Sequence, residues 1–351
     1  MILTKTIKEQ FLYLFADCYP VKGFKRSMLY DLSNKRAHFI PTPYFDLLQH
    51  CRKYKIGDLY DMLATPTDQQ EFKKFLTYLF NNNLAETVDD ITLFPPLNIE
   101  WHHPSVITNA ILDVDPKRKK PDYRSILEQL DELGCYHIQL RCYTRISMTY
   151  IKQFLALTKG RKFRSLQLLF KYDPAITPRQ LAAIIADYPV IDTISIHSAP
   201  HDKLVPPKKK EYTPFGQILY LTQEINSCHA CGVINTFSFK TPDIGEFMEN
   251  KLYNSCLNRK ISIDAAGEIR NCPSMNKSYG NIASRPLKDV IDKEEHFKKL
   301  WTINKDQIST CKVCEYRYMC TDCRAYLRDP SDIYSKPAKC KYNPYLAEWE
   351  N

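Results

Sequence analysis

The chain has 351 residues, 44% of them apolar and 25% charged, with a net charge of +9; this describes two or three globular domains and excludes a disordered chain or a small disulfide scaffold. No run approaches the roughly 18 apolar residues of a membrane span, and Lys5, Lys8 and Glu9 break up the N-terminal segment, so no signal peptide is read and a cytoplasmic protein is expected. Only 9 glycines occur, without G-x-G-x-x-G or G-x-x-x-x-G-K-[ST], which removes the common glycine-loop nucleotide sites.

In chain order, two β-prone runs at 26–32 and 35–40 flank the turn-like pair Ser33-Asn34 and predict a hairpin. Helical stretches follow at 42–53, 56–64 and 68–82, the last opening at Thr67-Asp68 with Phe72, Phe75, Leu76, Leu79 and Phe80 at helical spacing. Short strands at 84–88 and 91–94 then close a winged-helix-like unit, residues 1–97, ended by Pro95-Pro96. Residues 98–225 alternate differently. Strands are expected at 106–114, 136–142, 165–170, 190–197 and 217–221, with helices at 122–133, 147–158 and 178–187. That rhythm is the βα repeat of an α/β parallel sheet or partial TIM-like barrel. Residues 226–351 are loop-rich, with a hairpin around Ala265-Ala266-Gly267 and a helix at 286–300. Pro206-Pro207-Lys208-Lys209-Lys210 reads as a solvated loop, and Trp101-His102-His103 as a linker contact.

Nine of the 13 cysteines fall between Cys228 and Cys340. In a reducing compartment such clustering points to metal ligands before disulfides. Cys311-x2-Cys314-x5-Cys320-x2-Cys323 packs two C-x-x-C pairs only five residues apart. This is shorter than the spacing of roughly 12–20 residues in common zinc fingers and ribbons, and it suits iron–sulfur clusters, which often draw a fourth thiolate from elsewhere. Structural zinc is the alternative. Cys18, Cys51, Cys135 and Cys142 read as core packing.

Cys256, Gly267-x4-Cys272, the C-x2-C-x5-C run and distant Cys340 resemble the SPASM domain of radical SAM peptide-modifying enzymes. Arg259-Lys260-Ile261-Ser262-Ile263-Asp264, Asn271-Cys272-Pro273-Ser274-Met275, Tyr279-Gly280-Asn281-Ile282 and the run from Cys311 to Arg324 resemble more closely the peptide maturases of grasp-with-SPASM cassettes. The match covers residues 256–345. The resemblance implies a radical-SAM-type barrel with a C-terminal SPASM domain, a ribosomal precursor peptide as partner, and an ATP-grasp ligase working beside it. It further implies Cys311, Cys314, Cys320 and Cys340 as ligands of an outer [4Fe-4S] cluster, and Cys256, Cys272 and Cys323 as three ligands of an inner one.

The chain departs from that pattern. Two residues, not three, separate Cys320 from Cys323, and residues 247–255 lack the cysteine usually found before the Cys256 position. The inner site is therefore left open or borrows Cys228 or Cys231. No C-x-x-x-C-x-x-C occurs anywhere; the first barrel strand instead runs into Asp115-Pro116-Lys117-Arg118-Lys119-Lys120-Pro121. Charged lysine and arginine have no lone pair to give iron, so a radical SAM cluster and S-adenosylmethionine are not expected. The basic turn is solvated or holds an anion. Asp113 and Asp115, on the functional rim of a βα barrel, bind a substrate amine or cap the turn.

The winged-helix-like pattern also resembles the elements that bind leader peptides by strand addition, with the receiving edge within 26–40. The combined expectation is a protein of ribosomal peptide maturation with one or two [4Fe-4S] clusters, its catalytic status open. An iron–sulfur redox enzyme acting on a peptide and a zinc-stabilised adaptor are the rivals. No Arg/Lys-rich recognition helix stands out, so nucleic acid is not favoured; neither is a membrane.

Overall fold

The computed structural model describes residues 3–207 and 216–350; residues 208–210 of the expected lysine loop lie outside them. Two compact units form. One comprises Met1–Trp101, Ile234–Ser255 and Ile303–Asn351, the other His102–Val233 and Cys256–Thr302. The cysteine-rich region 226–351, read as one segment, is thus shared between both units.

The first unit begins with helix α1 (Lys5–Lys8) and strands β1 (Phe11–Leu14), β2 (Cys18–Val21), β3 (Ser27–Asp31) and β4 (Arg36–Ile40). Strands β2, β3 and β4 make an antiparallel meander with β4 at its edge. The expected hairpin is present: Asp31 faces Arg36, the Asn34 N–H donates to Asp31 Oδ1 at 3.1 Å, and Lys35 takes a left-handed φ of 53°. Helices α2 (Thr42–Leu48), α3 (Ile56–Asp61) and α4 (Pro66–Asn81) follow. The last starts slightly earlier than its sequence signal, because Thr65 is the cap: its hydroxyl accepts the Asp68 N–H at 3.1 Å, with proline in the first turn. Phe72, Phe75, Leu76 and Leu79 are buried, as their spacing predicts.

Strand β5 (Ala85–Val88) pairs antiparallel with β1, not with residues 91–94. Those residues fail to form the expected strand. They make one 3-10 turn, Ile91–Leu93, capped by Asp90 accepting the Thr92 N–H at 2.9 Å.

The second unit is built on one sheet. Its strands are β6 (Asn109–Val114), β7 (His137–Cys142), β8 (Ser165–Lys171), β9 (Ile191–His197), β10 (Lys203–Val205), β11 (Gln217–Tyr220), β12 (Lys260–Ile263) and β13 (Ile269–Arg270), in spatial order β10-β11-β9-β8-β7-β6-β12-β13. All neighbours from β11 to β12 are parallel; only the outermost pairs are antiparallel. This is an α/β fold with a large, mostly parallel sheet. Helices α5 (Tyr123–Glu132), α6 (Met148–Ala156) and α7 (Pro178–Asp187) follow β6, β7 and β8, capped by Asp122, Ser147 and Thr177. Their buried residues, among them Leu127, Phe154 and Leu181, join Leu112, Leu140 and Leu168 of the strands in one core. The hairpin expected in the cysteine-rich region belongs here: β12 extends the sheet beside β6, with Ile261 opposite Ala110. Helices Leu287–Lys293 and Glu295–Lys299 occupy the segment expected as one helix at 286–300.

Candidate metal centres

In the first unit, Cys311 opens a 3-10 turn, Cys311–Val313, that folds the first C-x-x-C pair back on itself, so that the Cys314 N–H donates to the Cys311 carbonyl at 2.9 Å. Cys320 is placed from two sides: its carbonyl accepts from the Ser255 hydroxyl and from Lys305 Nζ, both at 2.9 Å. Cys340 follows a turn in which its N–H donates to the Pro337 carbonyl at 3.2 Å, and it bridges to Ile234. The four thiols lie within one another's electrostatic reach: Cys311 feels Cys320 and Cys340, and Cys314 feels Cys311 and Cys320. Burial pushes the thiol of Cys311 up to about 12 and that of Cys320 up to about 11, and raises Cys314 well above its ordinary value. Cys311, Cys314, Cys320 and Cys340, the set expected at the outer site, all lie in the first unit, with Cys311 near Cys320 and Cys340 and Cys314 near Cys311 and Cys320. Cys323 is buried in this unit as well, at 8% exposure.

Charges absent from the sequence reading surround this group. Asp322 accepts from Asn254 at 2.6 Å and from Arg324 at 2.8 Å. Lys305, 2% exposed, lies 3.9 Å from Asp322. Next to Cys314, the fully buried Glu315 accepts from Arg26 Nε at 2.7 Å and from the Tyr342 hydroxyl, while its backbone carbonyl accepts from Tyr30 at 2.9 Å. The β3–β4 meander is thereby tied to the cysteine run. The sequence signal for these residues was only that charged types sit between cysteines.

In the second unit, Cys256, Cys272 and Cys231 surround Lys260, whose Nζ donates to Cys256 Sγ at 3.4 Å. Burial, with Cys256 adding to it, pushes the Cys272 thiol up to about 11. Cys228 is anchored beside them: its thiol donates to the Pro273 carbonyl at 3.5 Å, and its own carbonyl accepts from the Ser274 hydroxyl at 3.0 Å. Cys231 adds to the upward push on the Cys272 thiol.

Among the described residues, no three His, Cys, Asp or Glu side chains converge to hold a single metal ion. An iron–sulfide cube spreads its four thiolates over separate corners, wider than ligands around one ion. A group of four partly to fully buried thiols with a cation beside it has the donor chemistry such a cube takes.

The sheet rim gives a different result. Asp113, at the end of β6, is held by Arg141 of β7 through two bonds of 2.6 and 2.9 Å, with the Tyr143 hydroxyl at 3.4 Å. Asp115 accepts the Lys117 N–H at 3.0 Å and pairs with Arg118 at 3.5 Å. Both aspartates are engaged in structural roles, and the turn they flank carries no thiol. The residues there do not fit an S-adenosylmethionine-cleaving cluster. Cys18, Cys51, Cys135 and Cys142 are buried in the cores, as expected. His103 Nδ1 accepts the Ser105 N–H at 3.1 Å, and Trp101 packs on Tyr253.

Fold and site thus define an α/β protein with two groups of clustered cysteines. No family model matches the chain. A segment of 83 residues is 29% identical to an AdoMet-dependent heme synthase of Nitratidesulfovibrio vulgaris strain Hildenborough; it covers 23% of this chain and 22% of that protein, so the match spans about a fifth of the relative's length. Two solved structures of Streptococcus suis SuiB align at 12% identity. The S-adenosylmethionine-bound form gives a TM-score of 0.39 over 93% of this chain and 98% of that one; the form bound to precursor peptide SuiA gives 0.34 over 90% and 96%. Among the described residues no helix is long and apolar enough to cross a membrane.

Proposed function

We propose that this protein acts in the maturation of a ribosomally made peptide, as the SPASM-bearing member of a grasp-with-SPASM pair. It binds the precursor, carries one or two [4Fe-4S] clusters, and works beside an ATP-grasp ligase without a radical SAM cluster. The observation that carries the reading is the set Cys311, Cys314, Cys320 and Cys340 in the first unit, Cys320 buried and the others partly so, on the spacing that the SPASM resemblance assigns to one cluster. Cys256 and Cys272, with Cys231 in the place of the missing cysteine, are the ligands proposed in the second unit. Cys228 stays a candidate beside them. Such clusters supply single electrons, or a Lewis-acidic iron where a ligand is lacking.

The chain's own residues bind and orient the peptide. Strand β4 is an unpaired sheet edge with Arg36, Ala37 and Phe39 exposed, and an extended peptide adding there gains main-chain hydrogen bonds while side-chain pockets set its register. SuiB, with its precursor peptide bound, is the comparison that suits this reading.

The test is anaerobic purification with absorbance and EPR spectra and a count of iron, sulfide and zinc per chain. Iron with matching sulfide, at about four or eight atoms per chain for one or two Fe4S4 cubes, is the expected result. Stoichiometric zinc in colourless protein overturns it and leaves a structural adaptor.

A further inference from the structure

Each cysteine group contains an inward-facing lysine. In the first unit Lys305 is buried at 2% exposure, donates to the Cys320 carbonyl at 2.9 Å, and faces Cys311 and Cys320. In the second unit Lys260, at the start of β12, is half-buried and donates to Cys256 Sγ at 3.4 Å, with Cys272 and Cys231 around it. A lysine seldom faces inward without an anion to match it. Lys305 has Asp322 at 3.9 Å, but that carboxylate is already bonded to Arg324 and Asn254. Among the described residues no ion pair joins Lys260 to a carboxylate, and its bonded partner is a cysteine sulfur.

We propose that Lys260 and Lys305 are positioning residues for the two clusters, each supplying a fixed positive charge that raises the reduction potential of the cluster beside it. The inference rests on the iron–sulfur reading above. The physical cause is direct. A cube with four thiolates is a net anion, and one-electron reduction adds a further negative charge to it. A cation held nearby in a medium of low dielectric stabilises the reduced form more than the oxidised one. Lys260, bonded to a ligand sulfur, acts at closest range. Lys305 acts through space and through the Cys320 carbonyl, which fixes the backbone of a ligand. In the sequence Lys260 stands only as part of the run Arg259-Lys260-Ile261-Ser262-Ile263-Asp264 that carries the resemblance, with no role of its own.

The experiment is an EPR-monitored redox titration of the anaerobically prepared full chain, wild type against Lys260→Met, Lys260→Arg, Lys305→Met and Lys305→Arg, with iron and sulfide counted in each. Methionine keeps the length of the side chain without its charge; arginine keeps the charge. The expected result is one cluster signal shifted to lower potential in each methionine variant, a different signal for each lysine, with iron content kept and the arginine variants close to wild type. Unchanged midpoints in iron-replete methionine variants overturn the proposal while leaving the clusters in place. Loss of iron from both the methionine and the arginine variant of one lysine assigns that lysine to packing and likewise overturns it. A wild-type chain with no iron–sulfur signal defeats the cluster reading itself, and this inference with it.

Discussion

Asp113 and Arg141 show how a residue pair that looks functional in sequence becomes structural in the fold. Their side chains are 8% and 7% exposed, and the guanidinium grips the carboxylate through two bonds. Neither group is available to a substrate amine. Asp113→Asn leaves a buried cation without its anion and is expected to lower stability by about 3 kcal/mol, whereas the double variant Asp113→Leu/Arg141→Met is expected to cost less than either single change, because the pair is removed with its desolvation penalty. Urea midpoints of the Asp113→Leu and Arg141→Met single variants and of the double variant decide it; additive losses count against the coupling. His197 gives the residue scale a pH signature. It is fully buried at the end of β9, and its Nδ1 accepts the Ile225 N–H at 3.3 Å. Burial, with Lys171 contributing, lowers its proton affinity against an opposing pull from Glu224. The unfolded chain therefore takes up a proton that the folded chain resists, so this contribution to stability is complete above about 6.5 and is lost as the pH falls below it. His197→Asn keeps an acceptor near the Nδ1 position but does not titrate. Its stability is expected to fall less between pH 7.5 and 5 than that of wild type, and parallel pH profiles would rule the assignment out.

Elements were legible where local pattern and tertiary partner agreed. The sequence expectation for 136–142 became His137–Cys142, and that for 178–187 became Pro178–Asp187 with Thr177 capping it. The first parallel strand starts three residues later than its apolar run, at Asn109, because the Val106 and Ile107 N–H groups both turn to the Leu133 carbonyl, at 3.0 and 3.1 Å. No local signal told that β12 would extend the parallel sheet, since Ile261 and Ile263 are equally suited to a free hairpin; the partner, β6, lies about 150 residues earlier in the chain. The turn of this hairpin was nonetheless written in its glycine. Gly267 has φ +86°, and a Cβ there would stand 2.9 Å from Asn281 Oδ1. Asn281 itself donates to the Ala266 carbonyl at 2.9 Å and to Glu268 at 2.8 Å, locking the turn to the following loop. Gly267→Ala is expected to cost about 1–3 kcal/mol through strain and the displaced carboxamide. Chemical denaturation reads this directly, and a loss below about 0.5 kcal/mol, the range of neutral surface changes, would mean that the turn relaxes freely.

The whole molecule pairs a sheet with its own continuous core and a C-terminal segment poor in regular structure. The eight-stranded sheet buries a continuous apolar cluster and needs no ligand to account for its packing. From Ile303 to the C-terminus, by contrast, regular structure among the described residues amounts to short 3-10 turns and two strands of two residues each, Tyr342–Asn343 and Glu348–Trp349. Loops longer than roughly 12–15 residues without structure of their own are uncommon in compact domains unless something holds them. Here the buried side chains are disproportionately polar: Lys305, Glu315, Asp322, Arg324 and Lys336 are all inside. Their hydrogen bonds fix geometry, but networks of this kind contribute little net stability and are costly when one member is lost. On the proposed reading, metal bound by Cys311, Cys314, Cys320 and Cys340 supplies the missing free energy, and the raised thiols of Cys311, Cys314 and Cys320 stay neutral in the metal-free segment. Iron removal under anaerobic chelation is then expected to open trypsin sites at Lys312, Arg317 and Arg324, while the strands of the parallel sheet remain protected and most of the far-UV ellipticity survives. Mass spectrometry of a timed digest, with and without iron, checks this. Identical digestion in both states would show that polar and aromatic packing alone holds the segment, and that any metal bound there serves chemistry and not folding.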